Sequence, residues 1–172
     1  MGEPLAGRAA EPDRAAYAAA VVVASNRAAA GVYADTTGPL IREALLADGW
    51  VVGDPVVVPD GDPVGRAITA AVESGARAVL TTGGTGLTPT DLTPEVTRAL
   101  LDREVPGIAE AVRAHGVAKG VPTAALSRGL AGTVGQALVV NLPGSRGGVK
   151  DGLAVVVPLL RHAVEQIVGS DH

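Results

Sequence analysis

The sequence predicts an α/β domain of three layers around a mainly parallel central sheet. Two observations carry the prediction. Short Val- and Ala-rich runs of strand length alternate with stretches whose apolar residues recur at spacings of three and four, and four of the runs end in polar or glycine-rich tips. Runs that are apolar at every position suit strands covered on both faces, the condition of a parallel sheet between helices.

Residues 1–14 are Ala, Gly, Pro and charge without periodicity and are expected to form a flexible tail, leaving 15–172 as one domain. The stretch 18–24 (AAAVVVA) reads as a doubly buried strand ending in the polar tip Ser25-Asn26-Arg27. A loop with Gly31, Tyr33 and Asp35 leads to Pro39, which opens a helix whose Leu40, Ile41, Ala44 and Leu45 form one apolar stripe before Gly49. A second strand over 51–58 is interrupted at Gly53-Asp54-Pro55 and ends at Pro59-Asp60. Asp62 is expected to cap, and Pro63 to start, a helix with Val64, Ala67, Ile68, Ala71 and Val72 on one side.

The third strand, at Ala78-Val79-Leu80, delivers the loop Thr81-Thr82-Gly83-Gly84-Thr85-Gly86. Beyond it Thr93 is expected to cap a helix near 94–101, with Pro94 in its first position and Glu95 at the positive end of its dipole. A further helix is expected near 107–115, and an extended segment over 124–132. Residues 137–141 (ALVVN) form a fourth buried run, ending in Asn141-Leu142-Pro143-Gly144-Ser145. The last helix reaches about Val168 on a stripe of Val149, Leu153, Val156, Leu160, Val164 and Ile167; Pro158 within it should bend it or delay its start.

Composition narrows the function. With 172 residues, 47% of them apolar, the chain can bury one sizeable core. Aromatics are only 2% and the net charge is −4, which argues against base stacking and against a basic nucleic-acid face. There is no cysteine, so disulfides, thiolate metal sites and cysteine nucleophiles are excluded. The acidic N-terminus (Glu3, Glu11, Asp13) does not read as an export signal, and the longest apolar run, 15–24, falls short of the roughly 20 residues of a membrane helix. A soluble, cytoplasmic protein is expected.

In a parallel sheet the four tips would meet along one edge, where such sheets bind ligands. Three glycines in four positions expose main-chain N–H groups, and the interleaved threonines add hydroxyls, a combination suited to phosphate. Neither common phosphate motif fits. The first basic residue after Gly86 is Arg98, so there is no Walker lysine, and Pro89 stands where a dinucleotide fingerprint needs its last glycine. Asp60 and Asp91 are the two carboxylates of that edge and could hold Mg²⁺, the alternative being that either serves its own turn. Ser127 and Arg128 could offer a hydroxyl and a cation to a phosphate, although on residue type alone Arg128 fits a surface arginine better, and the N–H groups after Gly144 could meet an anion, or Ser145 could simply cap a helix. His115, His162 and His172 have no metal-ligand spacing.

The run Thr-Thr-Gly-Gly-Thr-Gly, followed by Asp91-x-Thr93-Pro94-Glu95, resembles the signature of the MogA/MoaB proteins of molybdenum cofactor synthesis, shared with the G domains of gephyrin and its plant counterpart. The resemblance spans about residues 21–167. It departs at Thr90, where relatives often carry Arg, and at Asn26, where they often carry Asp. It implies a molybdopterin-binding domain and an adenylyltransferase that moves AMP from ATP to the terminal phosphate of molybdopterin with Mg²⁺, or else a non-catalytic binder of the MoaB type. By the same resemblance, Thr81, Thr82, Gly83, Gly84, Thr85, Gly86, Ser127 and Arg128 would bind molybdopterin. Asp60 and Asp91 would be the catalytic, metal-holding pair, and Ser25, Asn141, Pro143, Gly144 and Ser145 would hold the nucleotide. It further implies a homotrimer and a possible partner that inserts molybdenum.

Overall fold

The computed structural model describes residues 14–169; the tail expected over 1–14 lies, Arg14 apart, outside them. After a 3-10 turn at Arg14–Tyr17 the strands are β1 (Ala18–Ala24), β2 (Val51–Val52), β3 (Val56–Val58), β4 (Ala78–Thr82), β5 (Arg103–Glu104), β6 (Ala131–Val134) and β7 (Ala137–Leu142). The helices are α1 (Asn26–Ala29), α2 (Gly38–Ala47), α3 (Asp62–Glu73), α4 (Thr93–Arg98), α5 (Pro106–Ala118) and α6 (Arg146–Ile167).

These strands form one seven-stranded sheet in the order β2-β1-β4-β7-β6-β5, with β3 also paired to β1. Strands β1, β2, β3, β4 and β7 run parallel, while β6 is antiparallel to both β7 and β5. The three-layer expectation holds. Ile41 and Leu45 of α2, Ile108 and Val112 of α5, and Val149, Val156 and Leu160 of α6 cover one face. Val64 and Ile68 of α3, with Val96 of α4, cover the other over Val22, Val79 and Val139. The sheet's own residues are small, which is how a core with almost no aromatics closes: Val79, Leu80, Val139 and Val140 are fully buried.

Local chemistry departs from expectation at five places. Gly61 is the N-cap of α3 at φ 90°, so Asp62 is the first helical residue rather than the cap. Leu92 is the N-cap of α4, so Thr93 does not cap either, and the helix ends at Arg98. Residues 122–126 form a 3-10 turn, and only from Ala131 is the expected extended segment a strand. The two-residue strand β5, too short for any periodicity, fills the gap between α4 and α5. Helix α6 starts at once after Ser145 and continues through Pro158, whose missing N–H removes one bond without ending a helix packed along its length.

Candidate functional site

Strand register decides where the tips fall. Ala24 lies opposite Val58, Val23 opposite Thr82, and Thr82 opposite Leu142, so β1, β3, β4 and β7 all end level. The Ser25 tip, the Asp60 turn, the glycine loop and the Pro143-Gly144 connection therefore share one rim.

At the centre of the rim Gly83 and Gly84 take φ of +88° and +65°, the left-handed region that favours glycine. A methyl group on Gly83 would sit 2.3 Å from the Ala24 carbonyl oxygen, and one on Gly144 would sit 3.2 Å from the α-carbon of Gly83, so three chain segments meet backbone to backbone.

Both acidic side chains lie against this loop. A methyl on Gly84 would come 2.6 Å from Asp60 Oδ1, and one on Gly86 would come 2.8 Å from Asp91 Oδ2. Asp60 is oriented by Asn26: its N–H donates to Asn26 Oδ1 at 3.0 Å, and the Asn26 N–H donates to Asp60 Oδ2 at 3.3 Å. Burial pushes the Asp60 carboxyl above the usual carboxylate range; the Asn26 N–H opposes this and the charge of Asp91 adds to it. Asp91 Oδ2 accepts from Thr88, from its N–H at 2.9 Å and its hydroxyl at 2.7 Å. Asp91 thus serves its own turn while remaining close enough to Asp60 for its charge to be felt there.

Arg128 fastens the loop from the other side. Its Nε donates to the Gly86 carbonyl at 2.8 Å, Nη2 donates to the Asp91 carbonyl at 2.6 Å, and Nη1 pairs with Glu95. The guanidinium expected to meet a phosphate is instead engaged by the protein, holding the segment on which Asp91 rides. Ser127 donates to Thr85 Oγ1 at 3.3 Å, and the Arg128 N–H donates to the Thr85 carbonyl at 2.9 Å.

Three residues expected at the rim have their side chains inside the protein. Asn141 is buried; its Nδ2 donates to Thr81 Oγ1 at 2.9 Å and Thr97 Oγ1 at 3.0 Å, and its Oδ1 accepts the Leu130 N–H at 3.1 Å. Thr82, also buried, donates to the Pro143 carbonyl at 2.7 Å. Thr81, Thr82 and Asn141 therefore tie β4 to its neighbours, and what they leave for a ligand is the shape of the rim. Ser25 and Ser145 cap helices: Ser25 Oγ accepts from the Ala28 N–H at 3.1 Å, and Ser145 Oγ accepts from the Gly148 N–H at 3.0 Å.

Two cavities flank the β7–α6 connection. One of about 270 Å³ is lined by Ser25, Tyr33, Asp35, Gly83, Gly144 and Arg146. The other, about 220 Å³, lies between α5 and the start of α6 and includes Arg113, Ser127, Pro143, Ser145 and Asp151. Among the described residues, no group of three His, Asp or Glu side chains could hold a metal ion. No helix there is long and apolar enough to cross a membrane.

This arrangement has known counterparts. The profile of the family described as "Probable molybdopterin binding domain" matches residues 20–162. The chain belongs to this family. It is 36% identical to the molybdopterin adenylyltransferase of Helicobacter pylori strain J99 over 154 residues, covering 87% of each. It is 39% identical to the molybdenum cofactor synthesis protein cinnamon of Drosophila melanogaster, covering 80% of this chain and 23% of that protein. The chain thus spans under a quarter of the cinnamon protein, and it spans about half of the bifunctional cofactor-biosynthesis relatives it matches. Among solved structures, the Mog protein of Mycobacterium ulcerans superposes with a TM-score of 0.83 at 51% identity, covering 87% of this chain and 98% of that one.

The rim also holds residues that the sequence alone does not single out. Asn26, which departs from the Asp of many relatives and carries no charge, holds Asp60. Asp35 accepts from the Thr37 N–H at 2.9 Å and the Gly38 N–H at 3.1 Å, fixing one wall of the larger cavity. Arg146 donates to the Thr36 carbonyl at 3.1 Å and brings the positive charge that this wall otherwise lacks. Its position, two residues past Gly144 at the start of a helix, was the available signal.

Proposed function

We propose that this protein is a molybdopterin adenylyltransferase acting in molybdenum cofactor synthesis. The reading is carried by Asp60 and Asp91 lying together against Gly84–Gly86 beside two cavities that share the Pro143-Gly144-Ser145 connection. A two-substrate transfer needs such a pair of neighbouring sites, because most of its rate gain comes from holding two phosphates in line. ATP would occupy the cavity of Ser25, Gly83, Gly144 and Arg146, where Arg146 and main-chain N–H groups offset phosphate charge. Molybdopterin would enter by Thr85, Gly86 and Ser127. A phosphate oxygen of the pterin attacks the α-phosphorus of ATP; the new P–O bond forms as the bond to the bridging oxygen breaks, and pyrophosphate leaves with that oxygen.

The donor set fits a hard divalent cation. Asp60 Oδ1 is buried without a hydrogen-bond partner, and Asp91 adds a second carboxylate against the same glycine loop. Asp60 and Asp91 would hold Mg²⁺, which offsets the charge gathered on the phosphates. The homotrimer and the molybdenum-inserting partner belong to this proposal as well.

The test supplies molybdopterin, Mg²⁺ and labelled ATP and looks for adenylated pterin and pyrophosphate. Wild-type protein should form both, and Asp91→Asn should bind pterin without turning over. Unchanged turnover in a folded Asp91→Asn removes that residue from the reaction. Pterin affinity with no product from the wild type would instead identify a non-catalytic binder of the MoaB type.

A further inference from the structure

Two buried side-chain oxygens lack a hydrogen-bond partner among the described residues, Asp60 Oδ1 and Thr93 Oγ1, and they are neighbours. Both face the α-carbon of Gly84. A methyl group there would lie 2.6 Å from the carboxylate oxygen and 2.3 Å from the hydroxyl, so each lies within contact distance of one common point.

The rest of each residue is accounted for. Asp60 Oδ2 takes the Asn26 N–H, and the Thr93 N–H donates to the Gly84 carbonyl at 3.0 Å. Thr93 is fully buried, and α4 is capped at Leu92 without a side-chain bond, so the hydroxyl has no structural task in its helix. A buried polar group left unpaired costs about 1–3 kcal/mol, a cost that folding alone gives no reason to retain. The two atoms are chemically complementary: the hydroxyl carries one donor, and an ionised carboxylate oxygen only accepts. A glycine is the one residue that lets both approach position 84 from the same side.

We propose that Thr93 is a positioning residue for Asp60. With a hard divalent cation seated beside the carboxylate, its hydroxyl would donate to Oδ1, a bond that neither atom makes in the structure described, while the Asn26 N–H holds Oδ2, so that the carboxylate meets the cation in a single orientation. The inference rests on the reading of Asp60 as a cation-holding carboxylate.

The test uses Mn²⁺ alone as the probe, titrated into full-length protein and followed by loss of the free-ion EPR signal. The proteins compared are wild type, Asp60→Asn, Thr93→Val and Thr93→Ser, with thermal unfolding run on each. Removing a group that orients a metal ligand weakens affinity about 10- to 100-fold, and Thr93→Val should show a loss of that size. Thr93→Ser, which keeps the hydroxyl, should restore binding even if its melting temperature falls for want of the methyl group. Wild-type affinity in Thr93→Val alongside lost affinity in Asp60→Asn overturns the positioning role and leaves the proposed function standing. Weak binding by both Thr93 variants marks the residue as structural only and overturns it too. No Mn²⁺ uptake by the wild type likewise overturns it, and adenylated-pterin formation then judges the proposed function by a separate readout.

Discussion

Asn26 and Asp60 exchange hydrogen bonds in both directions, main chain to side chain, just past the paired ends of β1 and β3. Such a pair fixes a carboxylate without neutralising it, since an amide oxygen accepts the Asp60 N–H and brings no second charge. Asn26→Leu should leave the fold intact, because the residue is exposed, and, on the function proposed above, should lower kcat roughly tenfold, the low end for losing a group that orients a carboxylate holding a metal. Asn26→Asp keeps an acceptor but adds a negative charge, so the acid limb of the pH–rate profile should move to higher pH. An unmoved profile in Asn26→Asp, with wild-type kcat in Asn26→Leu, would show that the exchange has no part in the reaction.

Asp60 also makes a prediction about stability. Burial first, then the nearby Asp91, holds its carboxyl above the usual range. A group whose folded-state value is raised contributes stability that is complete below its unfolded value and is lost as pH rises through the folded one. At neutral pH the ionised side chain is therefore a net cost to the fold. Asp60→Asn should melt at a higher temperature than wild type near pH 7, and the gap should close as pH falls through the carboxylate range. A lower melting point for the variant at neutral pH would contradict this.

Arg128 acts on the same loop with the opposite sign. Arg128→Ala strips the Gly86 and Asp91 carbonyls of their donors, at an expected cost of about 1–3 kcal/mol. For a chain of this size each kcal/mol lowers the melting temperature by roughly 2–4 °C. The hydrogen bond from Arg128 holds Glu95 below the usual glutamate range, so its share of the stability is present above the unfolded value and disappears as pH falls through the folded one. The deficit of Arg128→Ala should thus narrow on acidification. Amide exchange at Thr88 and Asp91 should quicken in the variant, and unchanged exchange there would mean the clamp does not hold the loop.

The layered fold was legible because its strands are apolar at every position and its helices carry clean stripes, and both signals are local. The shared rim was legible for the same reason: parallel strands that end in polar tips have one edge to share. What a side chain does at the rim was not legible from its type. Thr81, Thr82 and Asn141 look like ligand-facing polar residues in sequence, but alternation along β4 and β7 turns them into the layers, where each finds a partner from another segment. Arg128 looked available and is engaged by carbonyls some forty residues earlier. Asn26 looked inert and is the partner of Asp60. In each case the deciding partner is remote in the chain, and no spacing rule reaches it.

Gly83 offers the sharpest test of the rim's construction. Its φ of +88° alone would cost a side chain about 1–2 kcal/mol, and Gly75, at φ +97° with nothing within 4 Å of an added methyl, measures that cost in isolation. At Gly83 the methyl would also press to 2.3 Å from the Ala24 carbonyl oxygen, inside the sheet where β1 and β4 end level. Since neither strand can shift without breaking its register, Gly83→Ala should lose on the order of 3 kcal/mol or more, clearly beyond Gly75→Ala. Relief of the contact would have to come from the loop, moving Gly84 away from Asp60 and Thr93 and narrowing the cavity lined by Ser25 and Gly144. Chemical denaturation of the two variants side by side measures the difference, and equal losses would mean that the approach of Gly83 to Ala24 contributes nothing to how the rim is built.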